Sequence, residues 1–178
     1  MKKKLVMLTL CGMMAASALT GGMAMQTFAA EAEEPMVIAA NEDNQIPNPW
    51  KDYDSVADAA DAAGFSVKLP KTISGYQKDA IQAIDGSTVQ VFYKNGEKEI
   101  LIRKGIIGEG RTDISGDYNT YDVIKKVAVK GKKTKVTVKG NEEKKYLAIW
   151  NDGTYAYSIY TSAGMSQKAL IKLVKQVQ

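Results

Sequence analysis

The apolar positions between Ser55 and Gln178 change period twice, and each change marks an element. The run Val56–Ala63 (VADAADAA) is rich in the strongest helix former. Ser55, with Asp58 three residues on, supplies an N-terminal cap of the capping-box kind, and Gly64 stands where a left-handed residue closes a helix. Leu69-Pro70 rules out a regular element directly after that helix. From Tyr76 the period shortens toward two, which predicts strands at Tyr76–Ile84, Ser87–Lys94, Glu99–Lys104, Tyr121–Val129, Thr134–Lys139, Lys145–Trp150 and Thr154–Thr161. Val89, Val91 and Tyr93 share a face, Ile100 and Ile102 point to the core with Leu101 opposite, and Tyr155, Tyr157 and Ile159 line one side of the last strand. Asn95-Gly96 is a strong hairpin signal, and Lys130-Gly131-Lys132 and Asn151-Asp152-Gly153 turn two further pairs. Residues 105–119, with Gly105, Gly108, Gly110 and Gly116, read as a loop. Ser166 caps a closing helix with Met165 and Leu170 as a hydrophobic staple and Leu170, Leu173, Val174 and Val177 as its apolar stripe.

Strands grouped between two helices and joined by tight turns give an α+β fold. The expected architecture is a curved antiparallel sheet of about seven strands, flanked by an N-terminal and a C-terminal helix that both cover one face.

The first residues obey a different rule. Lys2, Lys3 and Lys4 precede an uncharged stretch from Leu5 to Ala29, and small residues stand at Ala29, Ala30 and Ala32. That order is a secretory signal peptide over residues 1–32, cut after Ala29 or Ala32; an uncleaved anchor or a buried helix are the alternatives. Cys11 comes directly after the bulky Leu10, which disfavours a lipid-modified site, so the cleaved chain carries no Cys and no transmembrane segment. Residues 33–49 hold Pro35, Pro47 and Pro49 and no base, and read as a flexible acidic tether, with a short strand at Met36–Ala39 as the alternative. Residues 50–178 then form a single α+β domain, secreted and associated with the cell envelope.

The chain has no His, which removes the usual general base near neutral pH and the commonest metal ligand. No Ser stands in a Ser-x-x-Lys arrangement, and a Ser-His or Cys-His pair cannot be built. Zinc sites lack their ligands. The acids Asp52, Asp54, Asp58 and Asp61 miss calcium-loop spacing, because Val56, Ala57 and Ala63 fall on the fifth, sixth and twelfth positions. Gly108-Glu109-Gly110 opens no helix and is no dinucleotide loop. Leu69-Pro70-Lys71-Thr72 lacks the glycine of a wall-sorting signal, since Ile73 stands there. Paired carboxylates are recognised by their separation in space. No catalytic, cofactor-binding or metal-binding residue is therefore assigned.

Charge and aromatic residues supply the remaining candidates. Residues 125–145 hold nine Lys against Glu142 and Glu143. Of these, Lys130, Lys132, Lys133, Lys135 and Lys139 are expected on one exposed surface, either an edge guarded against strand addition or a surface for an anionic polymer. Trp150, Tyr155, Tyr157 and Tyr160 fall on two neighbouring strands, as core packing or as a face on which a sugar could stack.

The segments Ser55–Phe65 (SVADAADAAGF), Leu69-Pro70, Gly75-Tyr76, Leu147-Ala148-Ile149-Trp150, Gly153 and Tyr157-Ser158-Ile159, ahead of a capped final helix, resemble the domain-of-unknown-function family numbered 4367. The resemblance covers most of residues 50–178. It implies an exported or membrane-tethered domain of Gram-positive bacteria and brings no catalytic residues. Some members carry the domain behind an anti-sigma-type segment; none is read in this chain, so that role does not carry over. The reading is a secreted, non-enzymatic binding or sensing domain at the bacterial cell envelope. Its expected partner is an anionic cell-wall polymer or another envelope protein, and not nucleic acid. A secreted carboxylate-based hydrolase and a secreted inhibitor or protein-interaction module are the alternatives.

Overall fold

The computed structural model describes residues 47–178 apart from Glu109 and Arg111. The expected signal peptide, and the tether up to residue 46, lie outside the described residues. After a two-residue strand β1 (Lys51–Asp52), Ser55 opens helix α1 (Val56–Ala63): its hydroxyl oxygen accepts the Asp58 N–H at 3.1 Å, satisfying a donor the helix cannot use. Gly64, at φ 78°, closes α1 in the left-handed conformation a side chain would resist. Strands β2 (Gln77–Ile84), β3 (Thr88–Asn95), β4 (Lys98–Ile106), β5 (Val123–Val127), β6 (Val136–Gly140), β7 (Lys145–Asn151) and β8 (Tyr155–Met165) come next, and α2 (Gln167–Val174) ends the fold with Ser166 accepting the Ala169 N–H at 3.2 Å.

All pairings are antiparallel, in the order β1-β2-β3-β4-β8-β7-β6-β5. The seven expected strands correspond to β2–β8, and the correction is an eighth, β1. Two residues beside Pro49 carry no readable period. Hairpin succession fails once: β4 pairs with β8 rather than with β5. Two meanders thus meet at the centre of one open sheet, and the segment 107–122 carries the chain from the central β4 to the far edge.

The side-chain period of two sorts the sheet into two faces. One face presents Val89, Val91, Ile100, Ile102, Ile159, Ala148, Val136 and Val138, all buried, in one core with Ala59 and Ala63 of α1 and Leu170, Leu173 and Val174 of α2. Burying each large side chain contributes roughly 1.5–3 kcal/mol. The alanines, with no side chain beyond Cβ, let α1 lie close on β2 and β3, while α2 packs on β7 and β8. Lys68 and Gln178 exchange two backbone hydrogen bonds of 2.8 and 3.0 Å, tying the segment after α1 to the end of the chain. Among the described residues no helix is long and apolar enough to cross a membrane.

Candidate ligand-binding face

Among the described residues, the opposite face of the sheet carries no helix. A polar chain runs across its first four strands. Gln82 Nε2 donates to Asp52 Oδ1 at 2.9 Å, Gln90 Nε2 to Gln82 Oε1 at 2.6 Å, and Arg103 Nε to Gln90 Oε1 at 2.7 Å. The guanidinium is spent further on the loop: Nη1 donates to the carbonyls of Ile114 (3.1 Å) and Ser115 (2.6 Å), and the Trp50 ring lies 5.6 Å away. Burial lowers the pKa of Arg103, yet a guanidinium keeps its charge in proteins. Gly116 is required beside it, because a Cβ there would stand 2.7 Å from Nη1 at a φ of 65°.

Segment 107–122 holds its shape with short side-chain turns. Asp113 Oδ1 accepts the Ser115 N–H (3.0 Å) and hydroxyl (2.6 Å), and Asp117 Oδ1 accepts the N–H (3.3 Å) and side-chain amide (2.6 Å) of Asn119. Asp113 also pairs with Lys139 of β6 at 3.5 Å. Burial pushes the Asp113 carboxyl up, but the Ser115 donors and Lys139 outweigh it and leave it below its ordinary value. The loop presents Tyr118 with 96% of its surface exposed, and stacks Tyr121 on Tyr146 of β7 with centroids 6.2 Å apart and planes 29° apart. Asp117 Oδ2 is buried and has no hydrogen-bond partner among the described residues. The Tyr121 phenol lies near enough to be raised by that carboxylate, after the larger effect of its own burial, but does not bond to Oδ2 with good geometry.

Two shallow grooves border this loop. The first, about 460 Å³, has Leu101, Arg103, Gly116 and Asp117 with Glu99, Tyr118 and Tyr160 around them. The second, about 320 Å³, is lined by Tyr121, Asp122, Asn141, Tyr146 and Ser162 among others. Asn119 and Tyr160 belong to both. Tyr160 stands on β8 between Leu101 of β4 and Leu147 of β7, so a buried leucine flanks it on each side. A larger depression between α2 and Val127 is mostly apolar and rimmed by Lys168, Lys172 and Lys175.

Residues 69–177 match the family described as Domain of unknown function (DUF4367). The chain belongs to this family. No curated protein and no solved structure matches it.

The DUF4367 domain distributes the lysines singled out in the sequence over different surroundings. Lys130, Lys133 and Lys135 are exposed around the β5–β6 turn. Lys139 faces the helix-free side and is held by Asp113. Lys132 is half-buried on the helix side, where its Nζ donates to the Val177 carbonyl and lies 5.3 Å from the Trp150 ring centroid. The five therefore do not share one exposed surface. The β5–β6 turn meets the end of the chain at Lys132, and the packing of Val177 decides that side chain's direction.

The aromatic group divides as well. Trp150 and Tyr157 are buried and stacked, with centroids 5.1 Å and planes 2° apart, and Tyr155 packs on Phe65 at 5.1 Å, all on the helix side. Among them sits Lys104, buried, its Nζ 4.2 Å from the Tyr155 centroid and donating to the Ser66 carbonyl at 2.7 Å. The Tyr157 hydroxyl donates to Asp152 Oδ2 at 2.8 Å; burial, then that carboxylate, raises its pKa. Only Tyr160 faces the grooves. The acids Asp52, Asp54, Asp58 and Asp61 do not converge either: Asp52 takes Gln82 and Asp58 bonds Ser55, and among the described residues no group of three ligands could hold a metal.

Sequence reasoning missed Tyr118, Tyr121, Tyr146 and Asn119. Tyr118 in a glycine-rich loop was a usable signal, since a loop without apolar neighbours leaves a large ring in water. Tyr146 was hidden by a register shift between Lys145 and Leu147, which breaks the alternation there.

Proposed function

We propose that this DUF4367 domain is a secreted, non-enzymatic binding or sensing domain at the bacterial cell envelope, and that it engages its ligand through the helix-free face of the sheet. One observation carries the reading. Tyr160 joins two grooves that are rimmed by Tyr118, Tyr121 and Tyr146, and Tyr118 is almost wholly in water. An exposed aromatic on a loop tied down by Arg103 and Asp113 loses little conformational entropy when a ligand covers it, and such rings are enriched at interfaces. The signal-like leader supports the location, and the absence of His from the sequence supports recognition rather than turnover.

The test is co-sedimentation with an insoluble Gram-positive cell-envelope fraction. The parent protein should pellet with it, and the Tyr118→Ser, Tyr160→Ser double variant should remain in the supernatant with an unchanged circular dichroism spectrum. Equal sedimentation of the two proteins rejects the helix-free face as the binding surface.

A further inference from the structure

We infer that the ligand of this face is an uncharged linear oligosaccharide, with successive sugar units running from the Arg103 groove over Tyr160 into the Tyr121–Tyr146 groove. The inference rests on the proposal that the helix-free side is the ligand face, and it names the chemical class that fits.

Charge excludes most other classes. Arg103 lines the first groove, while Glu99, Asp117 and Asp122 border the two grooves. A polyanion meets three carboxylates and a cation already committed to Gln90, Ile114 and Ser115. A polycation meets Arg103. Among the described residues, no lysine lines either groove. A neutral molecule rich in hydroxyls avoids both repulsions, because each hydroxyl donates and accepts.

Polar groups and rings then select a sugar. Asn119 uses its amide nitrogen on Asp117, and its side-chain oxygen has no partner among the described residues. Asn141 does the reverse: its oxygen accepts the Glu143 and Lys144 N–H groups at 3.1 and 2.7 Å, leaving its amide nitrogen without a partner among the described residues. Together they offer a hydroxyl-rich ligand one acceptor and one donor along the second groove. The half-buried face of Tyr160 offers an apolar plate to the C–H side of a pyranose ring, with a phenol at its edge. The two grooves share Tyr160 and Asn119, and both are open to solvent rather than enclosing, so a chain fits better than a single unit.

The test titrates the full-length protein with neutral oligomers of glucose, mannose and N-acetylglucosamine from mono- to hexasaccharide, and with polyglutamate and poly(glycerol phosphate), by calorimetry. Affinity for at least one neutral series should rise with chain length, be insensitive to salt, and fall roughly tenfold or more in Tyr160→Ala. If an anionic polymer binds instead and Tyr160→Ala abolishes it, the ligand class is wrong while the face stands. If neutral oligomers bind equally well to Tyr160→Ala, the face is rejected; if nothing binds to the parent, the class is rejected and sedimentation of the Tyr118→Ser, Tyr160→Ser variant decides the face.

Discussion

Arg103 on β4 donates from Nε to Gln90 Oε1 on β3 at 2.7 Å, which fixes the guanidinium so that Nη1 points at two loop carbonyls. The side chain thus bolts segment 107–122 to the sheet, and the exposed tyrosines depend on that segment. Arg103→Leu should lose about 1.5–3 kcal/mol, the usual range for hydrogen bonds made by a charged group. Arg103→Lys should rescue little, since a single ammonium cannot reach Gln90 and the loop together. Urea denaturation gives the stability, and hydrogen exchange should show amides 112–119 opening faster in both variants. Unchanged exchange there would mean that the loop is held by its own turns alone.

Tyr93 and Thr161 each bury a hydroxyl oxygen that has no partner among the described residues. An unsatisfied buried polar atom carries a penalty of about 1–3 kcal/mol, so Tyr93→Phe and Thr161→Val should leave stability equal or higher. Burial pushes the Tyr93 phenol up to about 12. A phenol raised in the fold above its unfolded value near 10 keeps its contribution below about pH 10 and loses it as pH rises through the folded value. Tyr93→Phe should therefore flatten the alkaline fall in stability and remove one late step from a spectrophotometric tyrosine titration. Marked destabilisation at neutral pH would show that the hydroxyl has a partner after all.

Gly140 ends β6 where the register with β7 shifts. A Cβ at this position would press on the Lys144 carbonyl oxygen and stand 2.7 Å from Lys145 Cα, both backbone atoms that cannot swing aside. Gly140→Ala should lose about 1–3 kcal/mol, as overpacking does. Gly108→Ala, where nothing lies within 4 Å, should be close to neutral. Equal midpoints for the two variants in thermal melts would show that the Gly140 bulge relaxes freely.

Most of the fold was legible because its signals are local. Ser55, Gly64 and Ser166 satisfy helix ends within a few residues of themselves, and the alternation of Val136 and Val138 with Lys135 and Lys139 reports a half-buried strand wherever that strand lies. The β4–β8 pairing was not legible, since nothing in either strand encodes which neighbour it meets. The site shared that fate. Tyr157 and Tyr160 are three residues apart on one strand, so they point to opposite faces; grouping them by sequence mixed a buried ring with a groove ring. Lys132 and Lys133 are adjacent, yet one turns under the end of the chain and the other into water. Side-chain direction in a turn depends on long-range packing, which composition does not record.

That pair gives the last expectation. Lys132 Nζ donates to the Val177 carbonyl and lies over Trp150, and burial lowers its pKa below the ordinary lysine value. Lys132→Gln removes a charge-assisted bond that ties the end of the chain to the β5–β6 turn, and should lose about 1–2 kcal/mol. Changing Lys130, Lys133 and Lys135 together to Gln should move stability by no more than about 0.5 kcal/mol, because their side chains stand in solvent. Those three carry whatever weak attraction the hairpin has for polyanions. It should be visible at low salt, be lost in the triple variant, and fade by physiological ionic strength, where the Debye length is about 8 Å. Thermal melts beside a low-salt polyanion titration separate the two roles. If Lys132→Gln melts like the parent and alone weakens polyanion binding, then Lys132 belongs to the exposed charge rather than to the core.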